Sequence, residues 1–198
     1  MADDAYVSGI GDKVRLICQS ICFLPLQGRH RITRAHAPYV HMLNLEIPGF
    51  GTLRLEHLVL DYNGTLALDG NILPGVTDRL RLLERDLQIH ILTADTFGKA
   101  GAELADVPFV RLSILETQGQ AEAKRGYVQD LGSRITACIG NGRNDRLMLQ
   151  KAALGIAVVQ SEGAAGDALR AAHITARNIV EALDLLNHPL RLVATLRG

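Results

Sequence analysis

Asp61 ends the apolar run Leu58-Val59-Leu60 and is followed by Tyr62-Asn63-Gly64-Thr65-Leu66. A short strand of this kind delivers a carboxylate to its C-terminal edge, and Asn-Gly turns the chain away from it. In open α/β sheets that edge is where ligands bind. A carboxylate placed there is a candidate nucleophile for covalent catalysis. Three further polar groups follow at comparable places. Thr93 closes the run Ile89-His90-Ile91-Leu92, Lys124 lies in Ala121-Glu122-Ala123-Lys124, and Gly140-Asn141-Gly142-Arg143-Asn144-Asp145 follows an apolar stretch over 135–139. Each has an ordinary reading beside the chemical one. Asp-x-Asn-Gly and Gly-Asn-Gly are turn chemistry, Thr93 is a helix cap, and Lys124 is a solvated helix charge.

The elements that must position these residues alternate along the chain. Two alternating stretches, 43–47 and 52–55, flank Pro48-Gly49-Phe50-Gly51 and predict a hairpin. The strand over 58–62 presents Asp61, and 66–68 with 72–73 around Asp69-Gly70-Asn71 predict a second, small hairpin. A helix from Pro74 carries Val76, Leu80, Leu83 and Leu87 on one face. Strands then follow over 89–92, 109–112, 135–139 and 156–159. Helices are expected over 97–104, 120–131, 144–152 with Asn144 as cap, 164–171 and 179–186. Strands alternating with helices predict an α/β fold, a three-layer Rossmann-like parallel sheet with helices on both faces. No strand is followed by Gly-x-Gly-x-x-Gly, which argues against a dinucleotide-binding fold.

The order and spacing of the four groups resemble the haloacid dehalogenase (HAD) superfamily, over 58–186. The nucleophile loop of that superfamily reads Asp-x-Asp-Gly-Thr in most phosphatases and Asp-Lys-Thr-Gly-Thr in P-type ATPases. The chain is similar to the phosphorylation domain of P-type ATPases as a free-standing soluble protein. The resemblance implies that Asp61 attacks phosphorus to form an aspartyl-phosphate, and that Lys124 neutralises nucleophile and phosphate charge. Thr93, with the backbone N–H of Ala94 and with Gly64 and Thr65 of the nucleophile loop, is implied to hold the phosphoryl group. Mg²⁺ is the implied cofactor, held by Asp61, the backbone carbonyl of Asn63, Asn141 and Asp145. A lysine and a divalent cation supply the positive charge that attack on a phosphate dianion requires.

Two residues depart from the superfamily pattern. Asn63 stands where most of its phosphatases carry the Asp that protonates the leaving group and then activates water. An amide has no titratable proton and cannot do either. Asn141 is a neutral donor in place of the first acid of the metal loop, which lowers the expected Mg²⁺ affinity. The intervals 65–93 and 93–124 are used up by short elements, so the resemblance is to a capless enzyme with an open site. Two functions follow: a Mg²⁺-dependent phosphohydrolase or phosphotransferase acting through Asp61, or a non-enzymatic or very slow phosphate-binding regulatory module on the same fold.

At 198 residues and 47% hydrophobic, the chain can bury a substantial core. A formal net charge of zero without a long basic run gives no support for an electrostatic nucleic-acid surface, and no nucleic-acid partner is expected. The longest uncharged apolar stretch, 16–28, contains Gln19, Ser20, Pro25 and Gln27 and is too short and polar to span a bilayer. Three cysteines in no repeated spacing fit a reducing, cytoplasmic setting. The expected partner is a phosphorylated substrate of unassigned identity, with a homo-oligomer left open. Residues 1–41 differ in composition and read as a loosely ordered extension or as translated upstream sequence, with 42–198 as the α/β domain. Neither a secretory signal nor a zinc site on Cys18, Cys22, His30 and His36 fits their spacing.

Overall fold

The computed structural model describes residues 42–198. The expectations for 1–41, the four Cys and His residues among them, lie outside the described residues. The chain opens with an antiparallel hairpin of β1 (Leu43–Ile47) and β2 (Gly51–Leu55), in which Leu45 pairs with Leu53 and Ile47 with Gly51. Period-two alternation buries Leu45, Ile47, Leu53 and Leu55 on one face and leaves the other polar. Next come β3 (His57–Asp61), a small hairpin of β4 (Ala67–Leu68) and β5 (Asn71–Ile72), and α1 (Val76–Leu83). Then follow β6 (Gln88–Thr93), α2 (Ala100–Glu103), β7 (Val110–Ile114), α3 (Gln120–Leu131) and β8 (Thr136–Gly140). The last elements are α4 (Arg146–Lys151), β9 (Leu154–Val158), α5 (Gly166–Ala171), β10 (Ile174–Ala176), α6 (Ile179–Asn187) and α7 (Pro189–Leu196).

Six strands form one parallel sheet in the order β10-β9-β8-β3-β6-β7. Every residue of β3, β8 and β9 is buried, as continuous apolar strands covered on both faces must be. Alternate residues divide between two cores. Leu58, Leu60, Ile89, Ile91 and Ile139 pack with α1, α6 and the first hairpin, whereas Val59, Leu92 and Cys138 pack with α3, α4 and α5. From β3 the chain moves outward to β6 and β7, then returns to β8 on the other side of β3. The C-terminal ends of β3 and β8 therefore flank a topological switch point, where connections diverge and leave a crevice.

The structure adds β10 and α7 to the elements read from the sequence. Three residues of strand carry almost no pattern, and the signal for α7 was Pro189 at its first turn. The helix expected over 97–104 is a single turn. Asp95 (φ 47°) and Gly98 (φ 64°) are left-handed, and Asp95 Oδ1 accepts the N–H groups of Lys99 and Ala100, each at 3.0 Å. Asn144 does not cap α4. It lies in a 3₁₀ turn over Arg143–Asp145, and its Nδ2 donates to Gln120 Oε1 at 2.7 Å.

Candidate active site

Asp61 shares a face of β3 with Val59, the face that packs against α3 and α4. On α3, Ala121, Lys124 and Val128 form the buried stripe at helical spacing. That stripe sends the Lys124 stem through the core to the strand end. Lys124 is fully buried, and its Nζ lies 2.5 Å from Asp61 Oδ1 and 2.6 Å from Asp145 Oδ1. Asp145 Oδ2 accepts the backbone N–H groups of Asn141 (3.0 Å) and Gly142 (2.8 Å). Gly140 makes this possible, because a Cβ there would lie 2.6 Å from the Asp145 carboxylate.

The triad of two carboxylates and one ammonium carries one net negative charge. Burial pulls the Lys124 pKa down, but Asp61 and Asp145 together push it up by more, so the ammonium stays protonated. Asp145 moves the other way from what an ion pair alone would give: burial first and then the charge of Asp61 push it up to about 6, against the pull of Lys124. Lys124 and the two backbone N–H groups donate to its two oxygens, which is the pattern of an ionised carboxylate. We read the pair as ionised at neutral pH.

The nucleophile loop is anchored below the site. Gly64 has φ 77° and donates its N–H to Ala67 O at 2.8 Å. Thr65 is fully buried, and its hydroxyl lies 3.1 Å from Asp61 Oδ2 and 3.2 Å from Asn141 Oδ1. One proton serves one acceptor at a time, so Thr65 is a bridge between the Asp61 and Asn141 loops. Asn141 in turn donates its Nδ2 to Gly163 O at 3.1 Å, which fixes which end of the amide faces Thr65. The Asn63 Oδ1 is buried and has no hydrogen-bond partner among the described residues. Thr93 Oγ1 accepts the Asp95 N–H at 2.9 Å, which leaves its own O–H free to donate.

Above these groups opens a cleft of about 220 Å³, lined among others by Asp61, Asn63, Thr93, Ala94, Asn141 and Glu162. The structure thus gathers Asp61, Asn63, Thr93, Ala94 and Asn141 on one cleft, with Lys124 buried behind Asp61. Three of the expected site residues do not line the cleft. Gly64 and Thr65, read as phosphate-binding, lie in the floor and do not line the cleft, because their polar groups are used to brace the loop. Asp145, read as a metal ligand, also does not line it; both its oxygens are engaged by Lys124 and the loop N–H groups. It holds Lys124 and the Asn141 loop in place.

The donors that face the cleft still fit Mg²⁺. Of the residues expected from the sequence, Asp61 offers a carboxylate and Asn141 a neutral amide oxygen on the cleft, while Asn63 Oδ1 is buried without a partner among the described residues. Magnesium is commonly held by one or two carboxylates, with water and substrate phosphate completing its shell.

Among the residues that escaped the sequence reading, two bear on the loops of the site. Gln160, just past β9, donates from Nε2 to Gly64 O (2.8 Å) and Thr65 O (2.7 Å), and its Oε1 accepts the Ile179 N–H at 2.9 Å. Glu162, two residues on, lines the cleft. The rule that found Asp61, polar groups just beyond a buried strand's C-terminal end, applies equally to β9.

No protein-family model matches the chain. Two uncharacterized proteins of Methanocaldococcus jannaschii are similar to parts of it. The first is 48% identical over 59 residues, 30% of this chain and 63% of that protein; the second is 51% identical over 39 residues, 20% of this chain and 89% of that protein. The chain spans less than two thirds of the first. Among solved structures, a Legionella pneumophila protein described as a HAD superfamily hydrolase of subfamily III A aligns with TM-score 0.55 at 20% identity. The alignment covers 72% of this chain and 87% of that one. The 3-deoxy-D-manno-octulosonate 8-phosphate phosphatase of Moraxella catarrhalis, in complex with magnesium, phosphate and KDO, aligns with TM-score 0.53 at 18% identity, covering 72% and 94%. The enzyme of the same name from Yersinia pestis aligns with TM-score 0.53 at 19% identity, covering 79% and 96%. The chain has the HAD fold.

Proposed function

We propose that this HAD-fold chain is a phosphohydrolase or phosphotransferase that depends on Mg²⁺ and works through an aspartyl-phosphate on Asp61. One observation carries the reading: Asp61 faces an open cleft at the switch point of the sheet while a buried lysine neutralises it from behind. A structural ion pair gains nothing from an open face, whereas a nucleophile requires one. The phosphatase of Moraxella catarrhalis, with its magnesium and phosphate, has the same fold and supports the assignment.

In the reaction, an Asp61 oxygen attacks phosphorus and the bond from phosphorus to the leaving oxygen breaks. Lys124 stabilises the charge at Asp61, and the free Thr93 O–H donates to a phosphoryl oxygen. Bound Mg²⁺, held by Asp61, the backbone carbonyl of Asn63 and Asn141, would offset charge on the transferring group. The departing oxygen takes its proton from solvent, since Asn63 has none to give. Hydrolysis of the aspartyl-phosphate then proceeds without a general base at position 63, and the phosphoenzyme accumulates.

That same substitution favours a second reading, a phosphate-binding regulatory module with negligible turnover. Beryllofluoride binding in the presence of Mg²⁺, and phosphate release across a panel of phosphoesters, separate the two. The enzymatic reading expects both in the parent and neither in Asp61→Asn. Phosphate release undiminished in Asp61→Asn would refute the covalent route.

A further inference from the structure

We propose that Glu162 is a ligand of the divalent cation at this site and supplies the carboxylate that position 141 lacks; the inference rests on the reading of the cleft as a cation-assisted phosphoryl site. Glu162 is exposed, yet its backbone is held. The turn Gln160-Ser161-Glu162-Gly163 is closed by the Gly163 N–H donating to Gln160 O at 2.6 Å. One end is fastened to the nucleophile loop, where Gln160 Nε2 donates to Gly64 O and Thr65 O. The other end is fastened to the Asn141 loop, where Asn141 Nδ2 donates to Gly163 O. A surface turn pinned at both ends to the two loops of a candidate site is a mount for what it carries.

It carries a carboxylate aimed at the metal side of the cleft. A Cβ on Gly64 would lie 2.5 Å from Asn141 Nδ2, 2.7 Å from Glu162 Oε2 and 2.9 Å from Asn141 Oδ1, so the Glu162 carboxylate and the Asn141 amide meet above the nucleophile loop. Gly64 leaves that space clear. No hydrogen bond or ion pair among the described residues engages the Glu162 carboxylate. With Glu162 beside it, the one net negative charge of the Asp61, Lys124 and Asp145 triad gains a second. Like charges on one cleft repel unless a cation lies between them. The pair Asp61 and Glu162 brings the site to the two carboxylates that magnesium sites commonly use. It also accounts for a neutral Asn141: its amide nitrogen is needed to hold the turn that bears the replacement charge.

The test is Mn²⁺ binding to the full chain, read from the loss of the free-ion electron paramagnetic resonance signal, with Mg²⁺ as competitor. Glu162→Gln is expected to weaken Mn²⁺ binding by at least about 10–100-fold, the loss that removing even an outer partner of a metal ligand gives. Its melting temperature without divalent cations should equal or exceed that of the parent, because the carboxylate has no protein partner to lose. Asp61→Asn is the companion measurement. Unchanged Mn²⁺ affinity in Glu162→Gln with loss of binding in Asp61→Asn would overturn the role of Glu162 and leave the proposed function standing. Unchanged affinity in both variants would overturn both.

Discussion

Replacing Lys124 by methionine keeps most of the side-chain volume and removes the ammonium that lies 2.5 Å from Asp61 Oδ1 and 2.6 Å from Asp145 Oδ1. Lys124 and Asp145 are both wholly buried, so water cannot take over the charge. Removing one partner of a buried ion pair typically costs about 3–5 kcal/mol. At about 2–4 °C per kcal/mol for a domain of this size, the melting temperature should fall by about 6–20 °C. The pH dependence has a definite sign. Burial and the charge of Asp61 already push Asp145 up to about 6, and without Lys124 it rises further. A carboxylate whose folded pKa lies above its unfolded value takes up a proton on folding. The stability deficit is therefore larger at pH 8 than at pH 5 and shrinks as pH falls toward about 4, the unfolded value. Urea melts at pH 8 and pH 5, with chelator present, measure it. Asp145→Asn added to Lys124→Met should recover part of the deficit at pH 8, because it removes the stranded charge. A Lys124→Met protein as stable as the parent at pH 8, or equally destabilised at both pH values, would refute the account of the triad.

Two further outcomes follow from the same geometry. Asn63→Asp places a general acid and base on the cleft beside Asp61, and phosphate release should quicken, by up to about 10²–10⁴-fold. Adding Asn141→Asp should tighten Mg²⁺ binding but set a carboxylate against the Gly163 carbonyl, costing about 1–3 kcal/mol in cation-free melts. The absence of any gain in phosphate release in either variant would favour the binding module. On β6, the strand beside that of Asp61, His90 is buried between His57 (3.2 Å) and Tyr127 (2.9 Å), and burial lowers its pKa to about 4. Stability from the neutral ring is full above the unfolded value near 6.5 and is lost as pH falls toward 4, where the unfolded chain binds the extra proton. The His90 ring proton shifts, followed by NMR, should stay flat between pH 7 and 5; a midpoint near 6.5 would show that burial does not control this group.

Asp61, Thr93, Lys124 and Asn141 were legible before the structure because each sits at a place that local sequence defines. Asp61 and Thr93 end apolar runs, Asn141 follows one between two glycines, and Lys124 interrupts a helical stripe. The alternation of strands and helices likewise gave the parallel sheet and its two covered faces, since period and length are local properties. Strand β10 and helix α7 escaped because three strand residues and a short C-terminal helix offer little pattern. The one-turn α2 escaped because the left-handed Asp95 looks, in sequence, like any helix-starting aspartate.

What each polar atom does was decided by tertiary contacts alone. The sequence places Asp145 in a metal loop; only the arrival of Lys124 from α3, together with two backbone N–H groups, shows that its oxygens are already used. It places Thr65 in a nucleophile loop, but the hydroxyl points between Asp61 and Asn141, residues far apart in the chain. Gln160 and Glu162 become part of the site because β9 lies beside β8 and β8 beside β3, an order no local pattern encodes. Residue type and spacing fixed which chemistry the strand ends can carry. The order of strands fixed which donors meet which acceptors, because hydrogen bonds and ion pairs act over a few ångströms of space and not along the chain.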